Sequence, residues 1–195
     1  MSTSHPPAAS IRQIALLALD AFGGKISGKT LFQKRLYFIS QLAGWDLGFD
    51  AHFYGPYSDE VAGAVMALKD LGFVHEECQP FGVVNAQGFD VMRYDYKVSD
   101  RGREALEWLK THLREDAQVM EMNAKRIKEA GNLNYVDLSI AAKAHFILKK
   151  AGKPMTNSEI AQAAKNFSWK VVDAQVKKAV SFLENLGMVK TVKQP

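Results

Sequence analysis

Apolar residues recur at helical spacing from position 11 onward. Ile11, Ile14, Leu17 and Leu19 with Phe22 mark one face of a helix that Ser10 is placed to cap and Gly23-Gly24 to end. Lys25-Ile26-Ser27 reads as a short extended link. Leu31, Phe32, Leu36, Tyr37, Ile39 and Leu42 predict a second helix from Lys29 or Thr30 to Ala43, stopped by Gly44. The spacing changes in WDLGFDAHFYGPY, where alternation suits a strand or hairpin and Gly55-Pro56 is turn chemistry. Ser58 caps a third helix, with Asp59 and Glu60 opposing its positive end and Gly72 closing it. Phe73 to Glu76 and Val91 to Val98 read as strands, separated by a loop from Gln79 to Asp90. Three helices and a hairpin in this order are the winged-helix arrangement.

From Ser99 the period stays helical to about Ala130. Leu106, Leu109, Leu113, Ala117, Met120, Ala124 and Ile127 form a near-heptad seam. Such a seam either packs on the chain's own core or pairs two copies as a coiled-coil homodimer. Gly131-Asn132 breaks it. Tyr135 to Lys150 predicts another amphipathic helix, and Thr156 or Asn157 caps a short one to about Asn166. Ser168 then caps a helix to Leu186, and Met188 to Val192 reads as a strand.

The two ends resemble each other. AFGGKISGKTLF and KKAGKPMTNSEIA each join two helices, and LKDLGFV and LENLGMV each close a third. The offset is 128 from Gly24 to Gly152 and 115 from Gly72 to Gly187, and the difference of 13 equals the stretch Gly44 to Pro56. The reading is therefore a mainly helical α+β protein. It has a flexible tail (1–9), a first winged-helix-like unit with an aromatic insert (10–98), a long linker helix (99–131) and a second winged-helix-like unit (132–195).

Charge separates the two units. Of 195 residues, 25 are Lys or Arg and 21 Asp or Glu. Residues 1–98 net −2, residues 99–131 net zero and residues 132–195 net +6. The surplus favours an anionic partner for the last third, or else forms a solvated lysine surface. Composition is that of a globular chain, no apolar run reaches the length of a membrane span, and the first ten residues lack the pattern of a secretory signal. A cytoplasmic protein is expected.

Catalytic signals are sparse. The five histidines stand singly, and the single cysteine, Cys78, follows two glutamates, a poor setting for a reactive thiolate. Asp50 and His52 are a weak metal pair. Gly23 with Gly28-Lys29-Thr30 has the letter spacing of a phosphate loop but follows a helix, where that loop needs a strand. No enzyme activity, cofactor or metal is expected.

The strings GKTLFQKRLYFISQLAG and FYGPYSDEV resemble the YwgA-like proteins and, more remotely, the SocA-type antitoxin group or Panacea domains. Gly28, Lys29, Leu31, Gln33, Lys34, Leu36 and Tyr37 carry the resemblance, with Tyr54, Gly55, Pro56, Tyr57 and Ser58. It implies a winged-helix-like protein without catalysis, acting as a regulator or antitoxin-like adaptor. The long helix and second unit depart from the shorter antitoxin pattern.

Two functions are expected as alternatives. The first is a regulator that binds double-stranded DNA through the second unit, with Lys170, Gln175, Lys177 and Lys178 on its third helix and Lys190 and Lys193 on its wing. Asn166 is a further candidate for base contact. The second is a protein-interaction adaptor holding a protein partner through Tyr54, Tyr57, Lys29 and Lys34. The first unit's third helix and wing have almost no cations, which favours protein over DNA there.

Overall fold

In the computed structural model, which describes residues 6–84, 90–131 and 133–189, eight helices and three strands pack around one continuous apolar core. The protein is a mainly helical α+β fold with a small antiparallel sheet.

Helix α1 (Ile11–Ala21) starts in a capping box, in which Ser10 Oγ accepts the Gln13 N–H and Gln13 reaches back to the Ser10 N–H. Its apolar face carries it through the middle of the core, with Ile14 to Leu19 all buried. The link Lys25–Ser27 is a true strand, β1, followed by α2 (Lys29–Ala43) and α3 (Asp59–Asp70). Strands β2 (Val74–Val84) and β3 (Asp90–Val98) complete a sheet of order β1-β3-β2. Ile26 pairs with Tyr96 and Val74 with Val98, and these four side chains form the sheet's buried face. The loop expected from Gln79 is instead strand as far as Val84, with a register irregularity between Pro80 and Val84. Lys25, Ile26 and Ser27, which fall inside the phosphate-loop letter spacing, pair with Lys97, Tyr96 and Asp95 of β3.

The long helix is two helices. Leu113, at φ −119° and ψ 49°, separates α4 (Asp100–His112) from α5 (Arg114–Ala130), with no glycine or proline to announce the break. The seam turns inward: Leu106, Leu109, Ala117, Met120, Ala124 and Ile127 are buried within the chain, α5 lying against α1, α2 and α8. Those side chains are therefore closed to a coiled-coil partner. Asp116 accepts the Ala9 N–H at 2.7 Å, so Ala9, expected in a loose tail, is buried and fixed. At Gly102 of α4 an added Cβ would run into the Phe73 carbonyl, so only glycine lets α4 approach the root of the hairpin.

The remainder is α6 (Tyr135–Ala151), α7 (Asn157–Ala164), a 3-10 turn (Lys165–Phe167) and α8 (Asp173–Asn185). Ser168 does not cap α8. It ends the 3-10 turn at φ +56°, and an irregular segment, Trp169–Val172, leads to α8, with Val172 extended. The two LG stops do behave alike. Gly72 and Gly187 adopt φ +76° and +71°. The following N–H groups, of Phe73 and Met188, return to Leu68 and Leu183 oxygens at 2.9 Å each. This is the closure a left-handed glycine permits.

Candidate functional site

The residues that carry the family resemblance meet in one place, and most of them are structural. From α2, Gln33 Nε2 donates to the Ser58 carbonyl at 3.0 Å and Gln33 Oε1 accepts the Ser58 N–H at 3.1 Å. One turn-neighbour on, Lys34 Nζ donates to the Pro56 carbonyl at 2.6 Å. Ser58 Oγ in turn donates to Leu47 O and accepts the Val61 N–H that starts α3. The insert is therefore an irregular loop clasped by α2, rather than the strand or hairpin expected. Its sole bridge among the described residues is Asp50 to Tyr57.

Lys34, expected on a binding surface, is 1% exposed. Burial, and then the Lys143 ammonium, push its pKa down to about 7. It cannot contact a partner. The physical reason is local: an amphipathic side chain whose long stem fits the core also brings a donor to a loop carbonyl that would otherwise be buried without one.

Lys29 and Tyr54 do reach the surface, and they come together. Both line a groove of about 430 Å³, along with Arg93, Tyr94 and Tyr135. Lys29 Nζ sits 4.0 Å above the Tyr94 ring and 3.8 Å from Glu76, which it shares with Lys69, and Arg93 is held by Asp95 at 2.8 Å, so both cations already have a carboxylate neighbour. Tyr54 is 61% exposed and edge-to-face with Phe53, itself 67% exposed. Tyr57 points elsewhere. It is half-buried against His52, and burial followed by the Asp59 charge raises its phenol pKa. The exposed pair is Phe53–Tyr54 rather than Tyr54–Tyr57.

In the C-terminal region the expected residues divide. Lys177 is exposed in the second turn of α8 and has no carboxylate partner among the described residues. Lys170 is also exposed and unpaired, but it lies on the irregular segment before α8. Lys178 is held by Asp137 of α6 at 2.6 Å. Gln175 turns its Oε1 back to the Val172 N–H at 3.1 Å, so its acceptor serves the helix start. Asp173 accepts the Ser158 hydroxyl at 2.6 Å, which ties α8 to α7. Lys190 and Lys193 lie outside the described residues. Sequence reading missed Lys165, which is exposed and unpaired beside Asn166 in the 3-10 turn. The sequence pattern puts Lys165 inside the short helix expected to reach Asn166, whereas that helix ends at Ala164 and Lys165 opens the 3-10 turn.

These two regions are not independent bodies. Tyr37 of α2 shares a 2.8 Å hydrogen bond with His145 of α6, and Trp169 Nε1 donates to the His52 carbonyl at 2.7 Å. Burial, then Lys149, push the His145 pKa down to about 4, so the imidazole is neutral at physiological pH.

The class defined so far is a mainly helical α+β protein with a clasped aromatic loop and an open lysine surface at one end. No helix among the described residues is long and apolar enough to cross a membrane, and no cluster of three or more metal-ligating side chains occurs among them. No protein-family model matches the chain. Over 88 residues, 45% of its length, it is 31% identical to the uncharacterised protein YwgA of Bacillus subtilis strain 168, and covers 49% of that protein. The chain thus matches about half of that relative, which supports a YwgA-like character for that part.

Proposed function

We propose that this protein is a non-enzymatic, cytoplasmic regulator that binds double-stranded DNA through α7, α8 and the segment between them. The observation that carries the reading is the state of the lysines there. Lys165, Lys170 and Lys177 are exposed and have no acidic partner among the described residues, whereas Lys25, Lys29, Lys69 and Arg93 of the N-terminal region are all in ion pairs. Unpaired cations beside a helix that can enter the major groove are what phosphate neutralisation needs. The order α1-β1-α2-α3-β2-β3 with sheet order β1-β3-β2 supports a winged-helix reading of residues 10–98. The matched glycine stops support a diverged second copy. With Lys178 and Gln175 engaged inside the protein, contacts fall on phosphate more than on bases, and sequence preference is weak.

Fluorescence anisotropy with a mixed-sequence duplex at two salt concentrations tests this. Three phosphate contacts give a log–log salt slope of about −2.7, or roughly fortyfold weaker binding from 50 to 200 mM. Absence of binding at the lower salt would overturn the reading.

One observation favours a second reading, a protein-interaction adaptor of antitoxin or defence type. The Phe53–Tyr54 pair stands out from the clasped loop as an exposed aromatic tip, the kind of anchor that dominates protein interfaces. Partner capture that survives Phe53→Ser with Tyr54→Ser would remove it.

A further inference from the structure

A cleft of about 340 Å³ lies where the aromatic loop meets α6. It is lined by Tyr37 and Gln41 of α2, Phe49 of the loop, and Phe146, Lys149 and Lys150 of α6. Its walls are mainly rings. Phe49 packs edge-on to Tyr37, and Phe146 packs edge-on to both Phe167 and Trp169, which stack on each other at 4.7 Å. The half-buried Phe49 and Phe146 present aromatic surface to the opening.

Its rim is cationic, and the charge is uncompensated. Of its lining, Lys150 lies over the Phe167 ring at 5.3 Å and Lys149 Nζ donates to Gln41 Oε1 at 2.7 Å, while Lys143, outside the lining, lies over the Trp169 ring at 5.6 Å. None of the three has a carboxylate within ion-pair distance among the described residues. Asp46 shares the adjoining cleft with Lys149 but turns its Oδ1 to the Gly48 N–H. The excess is felt inside the protein: Lys143 helps to depress Lys34, and Lys149 helps to depress His145. A site with ring walls and a surplus of two positive charges complements a ligand that is flat and negative. Its volume is at the small end for ligand clefts, which suits one ring system rather than a polymer.

We propose that this cleft binds a small anion carrying a planar ring, the shared chemistry of a nucleoside monophosphate and an aromatic carboxylate. The ring enters between Phe49 and Phe146, and the anionic group meets Lys149 and Lys150. Because the cleft is walled by the loop on one side and by α6 on the other, the ligand touches both ends of the chain. This proposal is independent of DNA binding, since none of Lys165, Lys170 and Lys177 lines the cleft.

Titration calorimetry on the full chain separates the outcomes, using adenosine 5′-monophosphate, benzoate, inorganic phosphate and uncharged adenosine as probes. At least one ringed anion is expected to bind with one-to-one saturation, and the one that does identifies the source. Inorganic phosphate and adenosine bind roughly tenfold more weakly or not at all, because each offers half of the recognition. Lys150→Gln, an exposed change that leaves the core intact, weakens the ringed anion about tenfold. Phe146→Leu does so with the circular dichroism melt retained, and Lys177→Glu leaves it unchanged. No saturation by either ringed anion up to about 10 mM, phosphate binding as tightly as the ringed anion, or an unaffected Lys150→Gln would each overturn the proposal.

Discussion

The lysines at the two ends of this chain are held in opposite ways. In residues 10–98 four of the five are engaged by the fold, and Lys97 alone is exposed with no ion pair among the described residues. Lys25 pairs with Glu77, Lys29 and Lys69 share Glu76, and Lys34 is buried on a loop carbonyl. In residues 133–189 one lysine of eight, Lys178, has a carboxylate partner among the described residues. A difference in net charge says that one end is basic. The pairing says more, because a cation already matched by a neighbour gives little to a phosphate, while an unmatched one releases the counterions that drive association.

The largest expected effect breaks the comparison outright. Reversing the open set, with Lys165→Glu, Lys170→Glu and Lys177→Glu together, is expected to weaken duplex binding by more than about 100-fold at 50 mM salt. The matched control, Lys25→Glu with Lys69→Glu, is expected to change it less than about threefold. Anisotropy on both variants measures this. Equal losses would mean that net charge, not pairing, governs the interaction.

The buried side of the comparison is sharpened by pH. The folded Lys34 pKa, about 7, lies below its ordinary 10.5. Between these values the unfolded chain binds a proton that the folded chain refuses, so stability rises with pH across this window. The cost of burying the charge is complete below about pH 7 and absent above 10.5. Lys34→Met removes that slope. Near the top of the window the variant is less stable than the parent by about 1–3 kcal/mol, since the Pro56 carbonyl loses its donor. At pH 6 the gap narrows or reverses. Urea melts at the two pH values check it, and a gap that stays constant would show that Lys34 is not charged at a buried site. His145 follows the same sign: its folded pKa of about 4 lies below 6.5, so NMR is expected to find the His145 imidazole titrating well below 6.5.

What the sequence made legible follows from where the physics is local. Helix starts and stops were readable because Ser10, Ser58, Gly72 and Gly187 act on their own turn. The alternation of Tyr94, Tyr96 and Val98 placed β3 in the sheet, though Asp95 on the opposite face is also buried, under Arg93 and Ser27. The rest depended on partners distant in the chain. No local feature marks Leu113 as a break, since it arises where α4 turns from the hairpin and α5 runs under α1, α2 and α8. Lys34 and Lys178 read as surface cations because their partners, Pro56 O and Asp137, are 22 and 41 positions away. The resemblance motif was visible as letters, but its work as a clasp was not, because Gln33 and Ser58 meet only when the insert folds back over α2.

The smallest effect discriminates most finely, because it compares adjacent residues. Lys177 and Lys178 are alike in composition, propensity and exposure, and differ in that Asp137 holds Lys178 at 2.6 Å. Lys177→Ala removes one phosphate contact and is expected to reduce the salt slope by about 1. Lys178→Ala frees Asp137, leaves the slope within experimental error, and costs stability of about 1 kcal/mol or less, because the Lys178 end of the pair is solvent-exposed. A duplex would have to pull Lys178 away from its carboxylate before using it, so the Asp137→Asn variant is the decisive companion. It releases Lys178, and if phosphates are near, the slope steepens by about 1 relative to the parent. If Asp137→Asn changes nothing while Lys177→Ala flattens the slope, the DNA runs along the Lys165–Lys170–Lys177 side of α8 and away from α6. If both are silent, the phosphates lie elsewhere and the open lysines are solvated surface.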